Sequence, residues 1–298
     1  MTEVRRFLRD YVRRSALLSS LYDGLTWRLH RAKDWWGTRV WTRTTEVLTP
    51  LGFTLCSGFH PAYAQMRAGT FEVEETALLT KLLARADRFV DIGANLGYYT
   101  CLALQSGKPV VAFEPQAQNL QCLYRNLLVN GWHESIEVFP LALSDQPGLL
   151  ELYGASGPSA SLVKNWAGYT SRYHQKVPVS TLDNILAGRF AGERLLVKID
   201  VEGAEHAVLL GAMATLARTP KPAWLLEVCL QEFHPEGLNP GFREIFQLFW
   251  SHGYLAYAVS DFLRPVTPAD VDRWWIERRS DAGSFNYVFV GSSDDLPS

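Results

Sequence analysis

The sequence predicts an α/β fold in which helices cover both faces of a mostly parallel sheet. Short apolar runs recur along the chain and alternate with segments of helical period, as strands and crossover helices do in such folds. The clearest run, residues 89–92, passes through a tight turn over 93–97 directly into a helix over Tyr98–Gln105. A chain of 298 residues is also long enough to bury a sizeable core. We therefore expect a Rossmann-like fold.

Composition excludes several classes of protein. The net charge of −2 argues against bulk binding of nucleic acid. The chain has no apolar run long enough to span a bilayer, and its N-terminus lacks the apolar region of a signal peptide. The four cysteines are scattered without a C-x-x-C pair, which argues against a zinc site and a disulfide framework. We expect a soluble cytoplasmic protein.

The opening strand and helix are followed by further units of the same kind. A second apolar strand over 110–114 leads to a crossover helix over Ala117–Asn130, closed by Gly131, and then to a third strand over Ile136–Phe139. Residues 141–186 break this rhythm, with two short strands over 149–153 and 177–179. An insert at the carboxyl edge of a sheet is where a substrate lid would be built.

The C-terminal half completes a sheet of seven strands. Helices are expected from Gly203 to about Ala217, over 242–252 and over 268–279. The remaining strands are expected over residues 194–200, 223–228, 254–259 and 286–290. The last strand is expected to run antiparallel at an edge.

The N-terminal part of the chain differs from the rest in its amino-acid composition. Residues 1–43 hold ten Lys or Arg against four acids, with leucines at helical spacing and several tryptophans. Two interpretations remain: an amphipathic segment that touches an anionic membrane, and a helical cap that packs on the domain or on a second subunit, giving a homo-oligomer. We favour the cap. Residues 44–57 suggest a hairpin around Pro50 to Gly52. The simplest division is an extension over 1–60 and one catalytic domain over 61–298.

Four residues of the first two strand units predict the ligand. Only Gly93 and Gly97 are present where a dinucleotide fold would have three glycines, and Asp91 at the strand end would repel a diphosphate. A carboxylate there suits a ligand that carries an ammonium and a sulfonium. Glu114, which ends the second strand 21 residues after Gly93, is placed to accept hydrogen bonds from ribose hydroxyls. Together they predict S-adenosylmethionine. Ala94 and Asn95 complete the turn, and Ala142 and Ser144 after the third strand are candidates to frame the adenine.

Five motifs resemble those of the FkbM-type methyltransferases in order and spacing. They begin at Val90, Phe113, Ala142, Thr181 and Lys198, and read VDIGANLG, FEP, ALSD, TLD and KIDVEGAE. The resemblance runs from about Gly69 to Val290, and the last motif is highly specific. It implies a class I, S-adenosylmethionine-dependent methyltransferase with a seven-stranded sheet. Characterised relatives mostly methylate hydroxyls of macrolides, sugars and other natural products.

Candidate catalytic residues follow the fourth strand. A hydroxyl acceptor needs a general base within hydrogen-bond reach, and Asp200 is the first candidate for that role or for contact with the cofactor. Glu202 is the second, on the same side of an extended chain. A pairing of Asp200 with Lys198 is an alternative. His206 is a further candidate base.

Three other ionisable residues are expected near the same edge of the sheet. Glu205 is more typical of a first-turn acid that stabilises its helix. His234, in a loop after the fifth strand, is a weaker histidine candidate. Glu227, with Asp200 and Glu202, offers hard oxygen ligands that suit Mg²⁺, although the sequence does not fix three ligands in one geometry.

The sequence thus favours O-methylation of a hydroxyl on a sugar, polyketide or other small molecule. N-methylation of an amine would need less of a base. A cofactor-binding module without catalysis, acting through its basic N-terminal helices, is the alternative from a different class. We expect no nucleic-acid partner.

Overall fold

Thirteen strands form three sheets in the part of the chain that the computed structural model describes, residues 46–56, 62–154, 160–168, 174–260 and 263–296. The predicted helical extension over 1–43 lies outside these residues. The strands are β1 Glu46–Leu48, β2 Thr54–Cys56, β3 Arg88–Ile92, β4 Val110–Phe113, β5 Ile136–Phe139, β6 Ala142–Leu143, β7 Gly148–Tyr153, β8 His174–Ser180, β9 Leu195–Ile199, β10 Ala223–Glu227, β11 Leu255–Ala258, β12 Arg264–Val266 and β13 Asn286–Val290.

The central sheet confirms the predicted α/β class. Its strand order is β12-β11-β13-β10-β9-β3-β4-β5, and the five strands from β10 to β5 are parallel. It has eight strands rather than seven, because the short β12 pairs with the outer side of β11. Pro265 lies in β12, where an edge strand tolerates the missing backbone donor.

The predicted edge position of the last strand is wrong. β13 is antiparallel as expected, but it lies between β11 and β10 and pairs with both. The physical reason is its composition: Tyr287, Val288, Phe289 and Val290 are all buried, so both faces of the strand are covered. A strand that is apolar on both faces belongs in the interior of a sheet.

Nine helices accompany these strands in the described residues. They are α1 Tyr63–Ala68, α2 Val73–Leu83, α3 Tyr98–Gln105, α4 Ala117–Asn130, α5 Leu182–Leu186, α6 Glu205–Leu210, α7 Met213–Leu216, α8 Phe242–Ser251 and α9 Pro268–Glu277. The predicted bounds of α3 and α4 agree with the structure. No helix of the described residues has the length and apolar character needed to cross a membrane.

The single helix expected from Gly203 to Ala217 is two short helices. The chain breaks at Gly211, where a Cβ would lie 2.1 Å from the carbonyl oxygen of Ser144. Past the break, the carboxylate of Asp183 accepts hydrogen bonds from the backbone N–H groups of Ala214 and Thr215 at 2.8 and 2.9 Å. These contacts cap the start of α7, so tertiary structure overrides the local helical pattern.

The predicted hairpin is confirmed. β1 and β2 pair antiparallel around the turn, and β2 lies against α4. Asn126 and Asn130 of α4 accept hydrogen bonds from the backbone N–H groups of Cys56 and Thr54, at 2.6 and 2.8 Å. Two asparagine side chains thus satisfy the free edge of β2.

The insert forms a small sheet of its own. β8 pairs parallel with β6 and antiparallel with β7, which confirms the two strands predicted there. A satellite core of Ala142, Leu152, Val177 and Val179 holds it together.

Candidate active site

A cavity of about 290 Å³ lies at the carboxyl ends of β3, β4, β9 and β10. This is the edge where parallel sheets bind ligands. Its lining residues include apolar side chains from the insert, namely Leu152, Ala160 and Leu162. Among the described residues of the lining, every ionisable side chain is acidic, and the five are Glu72, Glu114, Asp200, Glu202 and Glu227.

The glycine turn after β3 forms one wall. Gly93 has a φ of +85°, and a Cβ there would lie 1.9 Å from the carbonyl oxygen of Asp200. The N–H groups of Gly93 and Ala94 donate to the carbonyl of Phe113 at 3.0 and 2.9 Å. Gly97 has a φ of +91°, and its Cβ position is 2.4 Å from a Leu123 methyl. Glycine is therefore required at both positions, for conformation and for space.

Glu114 lies at the end of β4, where the sequence placed it. Its side chain accepts hydrogen bonds from the N–H groups of Asn95 and Gln116, both at 2.8 Å, and from the Asn119 amide at 3.2 Å. Burial raises the pKa of Glu114 to about 7, against the lowering effect of these bonds. A carboxylate offers about four acceptor positions, so it retains capacity for a ligand hydroxyl.

Asp91 is buried behind the cavity rather than in its lining. One carboxylate oxygen accepts a hydrogen bond from the Thr100 hydroxyl at 2.6 Å, and the other has no partner among the described residues. Burial raises the pKa of Asp91, although the nearby Lys198 opposes this. The direct contact of Asp91 with a cationic ligand stays a prediction, and in this structure the carboxyl group lies beneath the cavity lining.

Lys198, which is buried, and Asp200, whose side chain is 28% exposed, form the ion pair that the sequence left as an alternative. The ammonium donates to the Asp200 carboxylate at 2.8 Å and lies 4.8 Å from the centre of the Tyr99 ring. Burial alone would lower the pKa of Lys198, but Asp200, Asp91 and Glu72 together raise it. Lys198 therefore stays charged and holds Asp200 at the cavity wall.

Glu202 connects the end of β9 to the insert. Its carboxylate accepts a hydrogen bond from the Trp166 indole N–H at 2.7 Å, and its backbone carbonyl accepts one from the Ser161 hydroxyl. A Cβ on Gly203 would lie 2.3 Å from the Trp166 ring, so this glycine permits the close packing. Burial, followed by repulsion from Asp200, raises the pKa of Glu202 to about 8.

Glu205 has a structural place, as the sequence favoured. It is buried, and its carboxylate accepts a hydrogen bond from the Gly203 N–H at 2.8 Å. Burial raises the pKa of Glu205 to about 7. It therefore holds the turn between β9 and α6 and does not line the cavity.

The comparison with protein families decides the affiliation. The profile of the methyltransferase FkbM domain matches residues 91–256, more than half of the chain. The chain belongs to the FkbM family. Members of this family are methyltransferases that depend on S-adenosylmethionine. No curated protein matches the sequence.

The chain is also similar to solved structures, at low sequence identity. An FkbM methyltransferase from Methylobacillus flagellatus KT is 18% identical, over 68% of this chain, with a TM-score of 0.42. The match spans only 43% of that longer protein. An O-methyltransferase from Bacillus cereus, solved in complex with SAH, is 13% identical over 76% of this chain and 84% of its own, with a TM-score of 0.44. Cofactor-bound Rv0187 from MTB is 15% identical over 78% and 90%, with a TM-score of 0.41.

Two of the site residues predicted for this FkbM chain lie elsewhere. His206 does not line the cavity and packs beside Gly241, where a Cβ would be 2.7 Å from its own. Ser144 is turned away from the cavity: its N–H donates to the Ser180 carbonyl at 2.9 Å, and its hydroxyl donates to Asp145 at 3.0 Å. Ala142 lines the cavity as predicted, between Leu141 and Leu143.

His234 does not line the cavity either. Its ring packs edge-on against Trp166 at 5.5 Å between centroids, and burial lowers its pKa. The described residues also contain no group of three or more His, Cys, Asp or Glu side chains arranged to hold a metal ion. Asp200, Glu202 and Glu227 thus line one cavity without forming such a group.

Sequence reasoning missed the places of two residues in this FkbM site, Asn119 and Glu227. Asn119 supports Glu114 from the first turn of α4, and its place five residues after that acid was the available signal. Glu227, which ends β10, was considered only as a metal ligand. The structure shows it as a cavity residue whose side chain accepts a weak hydrogen bond from the Cys229 thiol at 3.9 Å.

Proposed function

We propose that this protein transfers the methyl group of S-adenosylmethionine to a hydroxyl of a small-molecule acceptor. A sugar, a polyketide or another natural product is the acceptor class we favour. The observation that carries the proposal is the shared cavity. Asp200, Glu202 and Glu227 line it together with Gly93 and Glu114, so candidate proton acceptors and candidate cofactor contacts face one space.

The lining fits the cofactor in chemistry. Glu114 would accept hydrogen bonds from the ribose hydroxyls, and the close backbone at Gly93 and Asn95 would border the ligand. Leu141 and Ala142 would contact the adenine. Asp200 and the other acids would complement its positive groups. Asp91, Ala94 and Gly97 would act by holding the turn, since their contacts lie behind the lining.

The chain's own residues would supply alignment and proton removal. The cofactor, when bound, provides a methyl group that a sulfonium already activates. A hydroxyl acceptor must then be aligned and lose its proton, and a positioned base contributes roughly 10²–10⁴-fold. Asp200, fixed by Lys198, and Glu202, fixed by Trp166, are the residues we assign to this task.

We propose that residues 61–298 form the catalytic domain and that the insert 141–186 builds the acceptor side, because Leu152, Ala160 and Leu162 line the cavity. Four free cysteines support a reducing compartment, and we place the protein in the cytoplasm.

An amine acceptor is the second candidate. The observation that favours it is the acidic lining, which suits a positively charged group better than an anionic one. N-methylation needs less help from a base, so the two candidates differ in their dependence on Asp200 and Glu202.

Methyl transfer to hydroxyl acceptors is expected to fall about 10²-fold or more in Asp200→Asn and in Glu202→Gln, because each loses its proton-accepting oxygen. The assay follows radiolabelled methyl from S-adenosylmethionine into glycosides, polyketides and amines, with the product position assigned by NMR. Glu134→Gln is the matched control, since this exposed acid does not line the cavity. Products methylated only on nitrogen, with both variants fully active, would contradict O-methylation.

A further inference from the structure

The ionisable groups that line the cavity are all carboxyl groups. Five carboxyl groups face it, and no Lys, Arg or His of the described residues does so. The ammonium of Lys198 is buried beneath, paired with Asp200. Such a lining favours a ligand with positive charge and opposes one with negative charge.

Four of these five carboxyl groups have strong partners. Asp200 is paired with Lys198, and Glu202 accepts from the Trp166 indole. Glu72, at the start of α2, accepts from the Tyr99 hydroxyl at 2.6 Å. Glu114 accepts three hydrogen bonds, as described above. Each of these four acids therefore has its orientation fixed by the protein.

Glu227 is the exception. Its one hydrogen-bond partner among the described residues is the Cys229 thiol at 3.9 Å, which is a weak donor. Burial of Cys229 raises the pKa of its thiol, so the thiol offers Glu227 a dipole and no charge. Glu227 is partly buried, and a carboxyl group with so little compensation is costly to ionise unless a cation arrives.

The groups around Glu227 increase this cost. Its pKa is raised well above the ordinary value, first by burial and then by repulsion from Asp200 and Glu202; Glu205 adds to the repulsion and Lys198 opposes it. Glu227 therefore holds its proton more tightly than an ordinary glutamic acid does in the cavity without a ligand. A positive charge placed in the cavity would stabilise the ionised form and displace that proton.

We propose that Glu227 makes the cavity select a cofactor that is positively charged at its transferable group, so that S-adenosylmethionine binds more tightly than S-adenosylhomocysteine. The two ligands differ by one methyl group and one charge, since the product carries a neutral thioether. The inference rests on the proposed function, because it assumes that this cavity holds the cofactor. It assigns to Glu227 a part in releasing the spent cofactor.

The test is calorimetric titration of the full chain with both ligands, in two buffers of different ionisation enthalpy. At pH 7 we expect S-adenosylmethionine to bind at least about tenfold more tightly, since opposite charges a few ångströms apart in a protein interact by more than the thermal energy. Its binding should also release more protons than that of the product. Sinefungin, with an amine in place of the sulfonium, should behave like S-adenosylmethionine.

Variants test whether Glu227 causes the differences in affinity and in proton release between the two ligands. In Glu227→Gln the affinity ratio should fall toward one and the difference in proton release should disappear, while Glu227→Asp and the exposed control Glu134→Gln keep both. An unchanged ratio in Glu227→Gln would overturn the role of this residue. Equal affinity and equal proton release in the wild type would overturn charge selection. If neither ligand binds the wild type, the proposed function fails instead.

The pH dependence of the wild type is a readout that needs no variant. An acid with a raised pKa must lose its proton before it can pair with a cation, and it loses that proton more readily as the pH rises. The preference for S-adenosylmethionine over the product should therefore grow as the pH rises from 6 to 8. Glu114 and Glu202, whose pKa values are about 7 and about 8, line the same cavity and would add to this growth. A ratio that stays constant over this range would contradict the proposal.

Discussion

Gly93→Ala is expected to lower the free energy of unfolding by roughly 3 kcal/mol or more and to abolish cofactor binding. The added Cβ would lie 1.9 Å from the Asp200 carbonyl oxygen, and the backbone φ of +85° disfavours any side chain. Relief of the clash would move the turn or the end of β9, and both border the cavity. Urea unfolding and calorimetric titration measure the two effects.

Gly188→Ala is the matched control for this experiment. Gly188 also has a positive φ, +78°, but a Cβ there meets no atom within 4 Å. It should therefore show only the conformational cost, about 1 kcal/mol, with cofactor binding intact. If the two variants lose equal stability, the close approach of Gly93 to Asp200 is not the decisive constraint.

Lys198→Met is expected to lower the free energy of unfolding by about 3–5 kcal/mol, because removal of one partner leaves buried carboxylates without compensation. Asp200 loses its ion pair with Lys198. Asp91 loses the positive charge of Lys198, which is its register partner in the neighbouring strand β9. The measurement is urea unfolding at pH 7. The double variant Lys198→Met/Asp200→Asn should recover part of the loss.

A surface ion pair provides the comparison. Arg194 and Asp87 form hydrogen bonds as short as those of Lys198, but both side chains are substantially exposed. Arg194→Met should change stability little, since solvent screens exposed pairs. A Lys198→Met protein as stable as Arg194→Met would show that Lys198 is not needed to balance the buried acids.

Local patterns predicted the first half of the sheet well. The bounds of α3 and α4 follow from apolar spacing and from the closing Gly131, which are properties of neighbouring residues. The place of β13 between β11 and β10 depends on pairing between distant segments, so the sequence order alone could not give it. The break at Gly211 likewise depends on the approach of Ser144.

In the candidate site, too, local sequence patterns predicted some features, and contacts between distant segments decided others. Motif spacing placed Gly93, Glu114 and Asp200 at one edge, because parallel strands end together. It could not show that Asp91 turns toward Thr100, since strand position does not fix the partner of a side chain. Trp166 reaches Glu202 from 36 residues away, and only the folded insert brings them together.

The most direct test of the account is calorimetric titration of S-adenosylmethionine into the wild type and Glu114→Ala. We expect micromolar binding by the wild type and its loss in Glu114→Ala, because no other lining residue among those described replaces the carboxylate at the end of β4. Glu134→Ala, at an exposed acid, should bind as the wild type does. Absence of binding by the wild type, or full binding by Glu114→Ala, would contradict the assignment of this cavity to the cofactor.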